Sequence, residues 1–238
     1  EDLIYRLSET SEVRDRRFEF IILEDESINA FAAPGGIIGI NLGMFLNTKR
    51  EGELASVMCH ELAHLSQRHY ARSQNRSSPL ANALMILGSI AVAAASRNPE
   101  AIVIAPAAMQ QMSINYTRSN EKEADRIGFN NLVKAGFDPN DMTMMFQRMQ
   151  DKYQREDSEQ FSYLMTHPLP SERLTDMRIR ADNISKPSER SFRDNLDFYF
   201  MQKRSEIWAE KDTKELIKKY KKDLESDQRN VSLSSKYG

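Results

Sequence analysis

The segment VMCHELAHLSQRH, Val57 to His69, places His60 and His64 on either side of Glu61. Residues four apart lie one turn above each other on an α-helix, so the two imidazoles point the same way if this segment is helical. Two imidazoles at this spacing can share a Zn²⁺ ion, and the glutamate between them is placed to take a proton from water. The motif therefore predicts a helix with His60 and His64 as metal ligands and Glu61 as the catalytic base.

The third ligand has to come from another part of the chain, because catalytic zinc usually has three protein ligands. The segment SNEKEADRIG offers Glu121, Glu123 and Asp125. On a helix, Glu121 shares a face with Ala124 and Gly128, two small residues that allow close packing, whereas Glu123 lies on another face. Glu121 is therefore the predicted third ligand, and Glu123 a solvated surface charge. Asp125, one turn after Glu121, is predicted to accept a hydrogen bond from a ligand histidine or to pair with an arginine.

His167 lies between Thr166 and Pro168, and a following proline favours extended backbone. Two roles in the site suit it: donating a hydrogen bond to the oxyanion of the reaction, or binding the zinc itself and leaving the enzyme latent. A structural loop histidine is the remaining alternative. Arg173 follows in the first turn of the next helix, where it opposes the helix dipole. We therefore expect Arg173 to hold Asp125 or the loop of His167.

The rest of the pattern predicts an α+β fold, a mainly helical domain with a small β-sheet beside the motif helix and a short helical tail. Phe18 to Leu46 is rich in β-branched and aromatic residues around a Pro-Gly-Gly turn, which predicts strands. Thr48 and Glu51 have capping-box spacing, so the motif helix is predicted to begin there and to run to about Arg72. Two further helices are predicted over about 114–135, ending at Gly136, and from a cap at Asn140 or Asp141 to about Lys152, with a methionine stripe in the core.

The predicted helices also determine how we interpret His69, the apolar segment 80–95 and the C-terminal tail. On a continuous motif helix, His69 lies roughly opposite His60, so it is predicted to be an ordinary surface histidine. The apolar segment 80–95 falls short of the ~20 residues needed to span a bilayer, and we expect a buried helix there, with a lid or membrane-touching segment as the alternative. Residues 1–190 are predicted to form the main domain and residues 191–238 a helical tail, which could begin a tetratricopeptide-like repeat region.

The amino-acid composition argues against several classes of binding surface and metal site. The chain is 40% hydrophobic and 29% charged, with a formal net charge of −2 and interspersed signs, which argues against a nucleic-acid surface or a polybasic membrane patch. Its single cysteine, Cys59, excludes an internal disulfide bond and a cysteine-based metal cage. The chain begins at Glu1, so we expect it to be part of a longer protein whose signal peptide is not present in this sequence.

The motifs HELAH, EKEAD and THPLPSER, in that order, resemble the HExxH gluzincin family that includes the CAAX prenyl endopeptidases and the HtpX and Oma proteases. The resemblance covers about Phe18 to Asp182 and is most detailed with the BepA type, the beta-barrel assembly-enhancing proteases. It implies one zinc ion held by His60, His64 and Glu121, with Glu61 as base. It also implies a periplasmic setting and a role in outer-membrane protein quality control.

The predicted function is endopeptidase hydrolysis of misfolded or unassembled polypeptides, with an extended substrate adding to the sheet edge along Ile28 to Ala33. The alternative is a chaperone or assembly factor whose zinc is structural or held inactive through His167. A docking module built on the tail helices is a third possibility. Expected partners are polypeptide substrates and outer-membrane assembly machinery, the latter through a repeat region mostly absent here. No nucleic-acid partner is expected, and residues 80–95 could contact a membrane peripherally.

Overall fold

The computed structural model describes residues 1–74, 118–155, 162–169, 171–184, 196–210, 214–222 and 224–225. The chain divides into two compact units, Glu1–Asp194 and Asn195–Gly238. The first unit contains the metal-ligand motif and is mainly helical with one small sheet. This agrees with the predicted α+β class. The repeat-like identity of the tail stays a prediction.

Along the chain, the described elements of the first unit are one helix, then the three strands of the sheet, and then further helices. They are α1 (Asp2–Thr10), β1 (Glu19–Leu23), β2 (Ala30–Ala33), β3 (Ile37–Asn41), α2 (Leu42–Asn47), α3 (Glu51–Ser66), α4 (His69–Gln74), α5 (Arg118–Lys134), α6 (Asn140–Arg155), α7 (Ser162–Thr166) and α8 (Ser171–Asp182). In the second unit, α9 covers Leu196–Ala209, and residues 214–222 are also helical. None of the described helices is long and apolar enough to cross a membrane. The predicted apolar helix over 80–95 lies outside the described residues.

The sheet has the strand order β1-β3-β2, with β1 parallel and β2 antiparallel to β3. The predicted turn joins β2 to β3, and Gly35 and Gly36 adopt positive φ angles of 91° and 82° there, which glycine allows without a steric cost. The strand prediction is wrong after Asn41, because Leu42–Asn47 forms the short helix α2. Residues 42–45 are all buried, and periodicity alone does not distinguish a short, wholly buried strand from a helix.

Helix α3 is the centre of the first unit, and every residue from Gly52 to His64 is buried. Its N-terminus differs from the predicted capping box. The N-cap residue is Arg50, and the side chain of Glu53, not Glu51, accepts a hydrogen bond from the Lys49 amide at 2.6 Å. Thr48 is unavailable as a cap because its hydroxyl donates to the Met44 carbonyl at the end of α2, at 3.1 Å.

The motif helix is not continuous to Arg72 as predicted. Helix α3 ends at Ser66, Arg68 has a positive φ of 53°, and α4 starts at His69. A positive φ at a non-glycine residue is uncommon and redirects the chain. The side chain of His69 therefore points in a direction that the periodicity of α3 does not predict.

Helices α5 and α6 are joined by a glycine turn in which Gly136 has a φ of 86° and the Phe137 amide donates to the Leu132 carbonyl at 3.2 Å. This is the C-terminal motif predicted for Gly136. The cap of α6 was predicted two or three residues too late, because the Asp138 side chain accepts a hydrogen bond from the Asn140 amide at 2.8 Å. Three of the methionines of α6 are buried in the core, as predicted: Met142, Met145 and Met149.

Asp141 is a buried carboxyl of α6 that is 1% exposed and lies 3.3 Å from Nη1 of Arg50. Burial, supported by the nearby charges of Asp138 and Glu53, raises its pKa to about 7 although Arg50 opposes the shift. The folded protein thus binds this proton more tightly than the unfolded chain, so stability falls as the pH rises from about 4 to about 7.

Replacing Asp141 with Asn is expected to remove this fall, because the amide has no charge at either pH. At pH 8 the variant should be more stable than the unmodified chain by up to about 4 kcal/mol. Denaturant unfolding of both proteins at pH 5 and pH 8 measures the difference. A variant that is destabilised equally at the two pH values would contradict the argument.

Candidate metal centre

Four buried side chains meet beside α3. The Nε2 atoms of His60 and His64 lie 2.9 Å apart, and each is 3.4 Å from one carboxylate oxygen of Glu121 on α5. His167, which follows α7, places Nδ1 3.2 Å from the same carboxylate. One ligand atom from each of these four residues lies within 4.8 Å of the others. The predicted ligands thus converge from separate parts of the chain.

Glu61 lies between the metal-ligand side chains and the sheet. Its Oε2 accepts a hydrogen bond from the Ala32 amide of β2 at 3.3 Å. Its Oε1 is buried, has no hydrogen-bond partner among the described residues, and lies 3.6 Å from Nε2 of His167. One carboxylate oxygen is therefore held by the backbone, and the other faces the site.

Asp125 and Arg173 contact the side chains of the predicted metal ligands. Asp125 Oδ1 lies 3.0 Å from Nδ1 of His60, and Arg173 donates to both Asp125 oxygens, at 2.6 Å and 2.7 Å. Nη1 of Arg173 also lies 2.8 Å from Glu121 and 2.6 Å from the Pro168 carbonyl beside His167. The structure thus places Asp125 in both of the positions considered for it, and Arg173 against both Asp125 and the histidine loop.

The electrostatics of these groups follow from burial and pairing. Burial disfavours the charged form of Glu121, but His167 and His60 hold its pKa below the usual range. Burial likewise opposes a charge on His60, but its contacts with Asp125 and Glu121 raise its pKa to about 9. Burial and the neighbouring imidazoles lower the pKa of His64. The site therefore concentrates negative charge beside ligand nitrogens, which is the environment that a cation stabilises.

The donor set fits a zinc ion. Three carboxylates, Glu61, Glu121 and Asp125, are buried beside one buried guanidinium, Arg173, so two negative charges stay uncompensated among these residues when the imidazoles are neutral, as metal binding requires. Uncompensated buried charge is costly, and a divalent cation offsets it. Two imidazoles and a carboxylate are typical ligands of catalytic zinc. The residues present would hold the metal through His60, His64 and Glu121.

The sequence matches the model of peptidase family M48 over residues 1–181. The chain belongs to peptidase family M48. It is 38% identical over 228 residues to the beta-barrel assembly-enhancing protease of Yersinia pestis, which covers 93% of this chain and 46% of that protein. The protein of that name from Escherichia coli strain K12 is 40% identical over 195 residues, 79% of this chain and 39% of the other. The mitochondrial metalloendopeptidase OMA1 of Schizosaccharomyces pombe is 28% identical over 172 residues, 72% and 49% of the two chains.

These comparisons confirm the predicted resemblance and the mainly helical α+β fold, and they place the chain in a peptidase family whose OMA1 relatives are named metalloendopeptidases. A metal in the M48 domain follows from the family, and the group of His60, His64, Glu121 and His167 is a site that could hold it. The chain spans less than half the length of these relatives.

Two predictions about the surroundings of the M48 site are wrong. His69 is not a surface histidine: it is fully buried, and its Nδ1 lies 2.8 Å from Nδ1 of His64. Glu123 is not a freely solvated charge: 28% of its side chain is exposed, but its Oε2 lies 2.9 Å from Nε2 of His69 and 3.2 Å from Arg72. Both errors come from one cause, the turn at Arg68 that brings α4 back toward α5.

Sequence reasoning also missed Tyr163. This residue is 2% exposed, its ring centroid lies 4.6 Å from that of His167, and its hydroxyl has no hydrogen-bond partner among the described residues. Burial, together with the charges of Glu61 and Glu121, raises its pKa. The available signal was its position four residues before His167, which puts both on one side of a helical turn.

The two ligand-bearing helices approach closely at Gly128 of α5. A Cβ atom on Gly128 would lie 2.9 Å from the His60 amide nitrogen and 3.0 Å from the Cys59 carbonyl. This confirms the prediction that small residues allow α5 to pack against the motif helix. Because backbone atoms form the contact, the helices would have to separate to admit even a methyl group.

Gly128→Ala is therefore expected to destabilise the M48 domain by about 1–3 kcal/mol, the usual cost of overpacking, and to weaken metal binding by moving Glu121 away from the imidazoles. Thermal unfolding and metal titration measure the two effects. Asn130→Ala, on the exposed side of the same helix, is the matched control and should change neither. Normal metal affinity in Gly128→Ala would show that the approach of α5 does not set the ligand geometry.

Proposed function

We propose that this M48 domain is a zinc-dependent endopeptidase that hydrolyses misfolded or unassembled polypeptides. The observation that carries the proposal is the convergence of His60, His64 and Glu121 on one point, with Glu61 beside it. The names of the bacterial relatives and the sequence motifs support a role in outer-membrane protein quality control, in the periplasm. The outer-membrane assembly machinery is the proposed partner of the full-length protein.

Glu61 is proposed to act as the general base. Zinc in this site would supply Lewis acidity toward the scissile carbonyl and toward the attacking water. Glu61 takes the proton of that water on Oε1 and later delivers it to the leaving amine nitrogen. The Ala32 amide, bonded to Oε2 at 3.3 Å, keeps the carboxylate in one orientation throughout.

The substrate is proposed to bind as an extended strand along β2. Backbone groups of alternate residues point to opposite sides of a strand. The Asn29 carbonyl accepts a hydrogen bond from the Asn41 amide and therefore faces β3, whereas the Ala32 amide faces Glu61. Ala30 follows Asn29 and lies two residues before Ala32, so its backbone groups face the site. Pairing through these groups gives affinity with little sequence preference. Ala30 is 1% exposed, whereas Phe31 and Ala32 are partly exposed, so the Ala30 end of this edge has to be uncovered before a polypeptide can pair along it.

His167 is proposed to keep the resting enzyme latent as a fourth metal ligand. It belongs to the converging group, its ring centroid lies 5.3 Å and 5.0 Å from those of His60 and His64, and it contacts Glu121. A protein ligand in that position excludes the attacking water. The burial of Ala30 on β2 agrees with a resting form that does not bind substrate.

His167→Ala is expected to raise peptidase activity, because the variant has no side chain to occupy the fourth position. If nine-tenths of the molecules are latent, the increase is about tenfold. Cleavage of an unfolded protein under initial-rate conditions measures it, with Thr166→Ala as the control in the same turn. A fall in activity would reject latency through this residue and assign His167 to stabilisation of the oxyanion.

A second candidate function is that of a chaperone or assembly factor with a metal site held inactive. The observation that favours it is the same position of His167 among the ligands. This candidate predicts that neither the unmodified chain nor His167→Ala cleaves any polypeptide, while both prevent aggregation of unfolded outer-membrane proteins.

Metal analysis combined with a cleavage assay tests the proposed function. The purified chain should contain one zinc ion, and cleavage of a reduced, unfolded protein by His167→Ala should stop on addition of a chelator and return with added zinc. A chain that binds no metal at the predicted ligands would refute the proposal. A metal-loaded chain that cleaves nothing in either form would favour the assembly factor.

A further inference from the structure

We propose that His69 and Glu123 form a hydrogen-bonded relay that fixes the tautomer and the ring orientation of His64, so that both are positioning residues of the metal site. The inference rests on the proposed function, because it assumes that His64 binds metal through Nε2. It concerns two residues to which no role has been assigned above.

The contacts of the relay are short and buried. His69 Nδ1 lies 2.8 Å from His64 Nδ1, and His69 Nε2 lies 2.9 Å from Glu123 Oε2. His69 is fully buried and His64 is 2% exposed, so solvent does not compete for these nitrogens. Glu123 is the outer end of the relay, with 28% of its side chain exposed.

Only one arrangement of protons satisfies every contact in the relay. A metal takes the lone pair of His64 Nε2, so the proton of this neutral imidazole has to be on Nδ1. His64 Nδ1 then donates, and His69 Nδ1 must accept with its own lone pair. The proton of His69 consequently lies on Nε2, which donates to the Glu123 carboxylate. The Glu123 carboxylate can only accept a hydrogen bond. It therefore requires the same direction of both hydrogen bonds as the metal at the other end of the relay.

The relay connects His64 to a carboxylate, which His60 contacts directly. Nδ1 of His60 lies 3.0 Å from Asp125, a common arrangement that orients a ligand histidine and raises its basicity. The carboxylate that serves His64 is one imidazole further away. The intervening ring is in place because the chain turns at Arg68, whose φ is 53°. Each ligand imidazole of α3 is thus connected to a carboxylate of α5.

The test compares two replacements of His69 that have similar size and differ in hydrogen bonding. Asn offers an amide oxygen near the position of Nδ1 and can still accept from His64, whereas Leu cannot. Zinc affinity, measured by competition with a chromophoric chelator, is expected to fall by about 10–100-fold in His69→Leu. His69→Asn should recover most of that loss. Equal losses in the two variants would show that His69 only fills space, and would overturn the proposal.

Glu123 permits a second test at a position that is partly exposed. Glu123→Leu should weaken zinc affinity by about tenfold, and Glu123→Gln, whose amide oxygen can still accept from His69, should weaken it less. Glu172→Gln is the matched control, because Glu172 forms an exposed ion pair with Lys122 at 3.3 Å and should leave the affinity unchanged. Unaltered affinity in Glu123→Leu would remove Glu123 from the relay.

The tautomers can also be observed without any substitution. Long-range ¹H–¹⁵N correlation spectra of the zinc-loaded protein should show His69 protonated at Nε2 and His64 protonated at Nδ1. A proton on Nδ1 of His69 would overturn the proposal. Failure of the unmodified chain to bind zinc would instead refute the proposed metal site, so the two failures are distinguishable.

Discussion

Glu61→Gln is expected to keep the metal and to lower the rate of peptide cleavage by about 10²–10⁴-fold, the usual contribution of a general base. The amide has nearly the same shape as the carboxylate, and its oxygen can still accept from the Ala32 amide that now bonds Oε2 at 3.3 Å. Glu61 is not one of the converging ligand residues. The substitution therefore removes the basic oxygen and leaves the ligand geometry in place.

The comparison is sharpest in the His167→Ala background, where activity is expected to be highest. Zinc content by elemental analysis and initial cleavage rates are measured on the same preparation. Glu51→Gln is the control, since Glu51 lies at the start of the same helix and pairs with Arg6 at the surface, at 3.0 Å. Substantial cleavage by Glu61→Gln would mean that another group accepts the proton, and the assignment of the base would fail.

Glu121→Ala is expected to lose most of its metal at micromolar concentrations. Structural zinc sites bind with about 10–16 kcal/mol, so removing one ligand of three or four lowers the affinity by about a hundredfold or more. The loss also leaves Arg173 with one carboxylate partner fewer, because its Nη1 lies 2.8 Å from Glu121. The two imidazoles of α3 and, in the latent form, His167 would then be the remaining ligands.

The measurement is again chelator competition, with thermal unfolding to show that the apo variant is folded. Glu172→Ala is the control, because Glu172 is an exposed carboxylate on α8. The effect should also exceed the roughly tenfold loss expected for Glu123→Leu, since Glu123 acts through two imidazoles. Retention of zinc by Glu121→Ala with full affinity would remove Glu121 from the ligand set and require another donor.

The ligand geometry could be predicted from the sequence because it depends on local periodicity. His60 and His64 are on one turn of a helix whatever surrounds them, and the periodicity of α5 separates Glu121 from Glu123 by face. Gly128 also has a local meaning, since a small residue on the ligand face allows the close approach that the structure has. These conclusions need only the helical repeat.

The relay through His69 could not be predicted, because it depends on the change of direction at Arg68. The sequence from Glu53 to His69 has no glycine, proline or asparagine, so nothing in that segment indicates where α3 stops. Helix α2 and the Arg50 cap were missed for a related reason. Each depends on tertiary contacts, such as the Thr48 hydroxyl being used by α2, which override local preference.

Arg173 has a mechanical consequence for the whole candidate metal centre. One planar guanidinium joins Asp125, Glu121 and the Pro168 carbonyl, so the segment that carries His167 and the helix that carries Glu121 are fastened at a single rigid point. Withdrawal of that segment must either break its bond to the guanidinium or displace the guanidinium from both acids. Exposure of the buried site to a polypeptide would thereby be coupled to how firmly a bound metal ion is held.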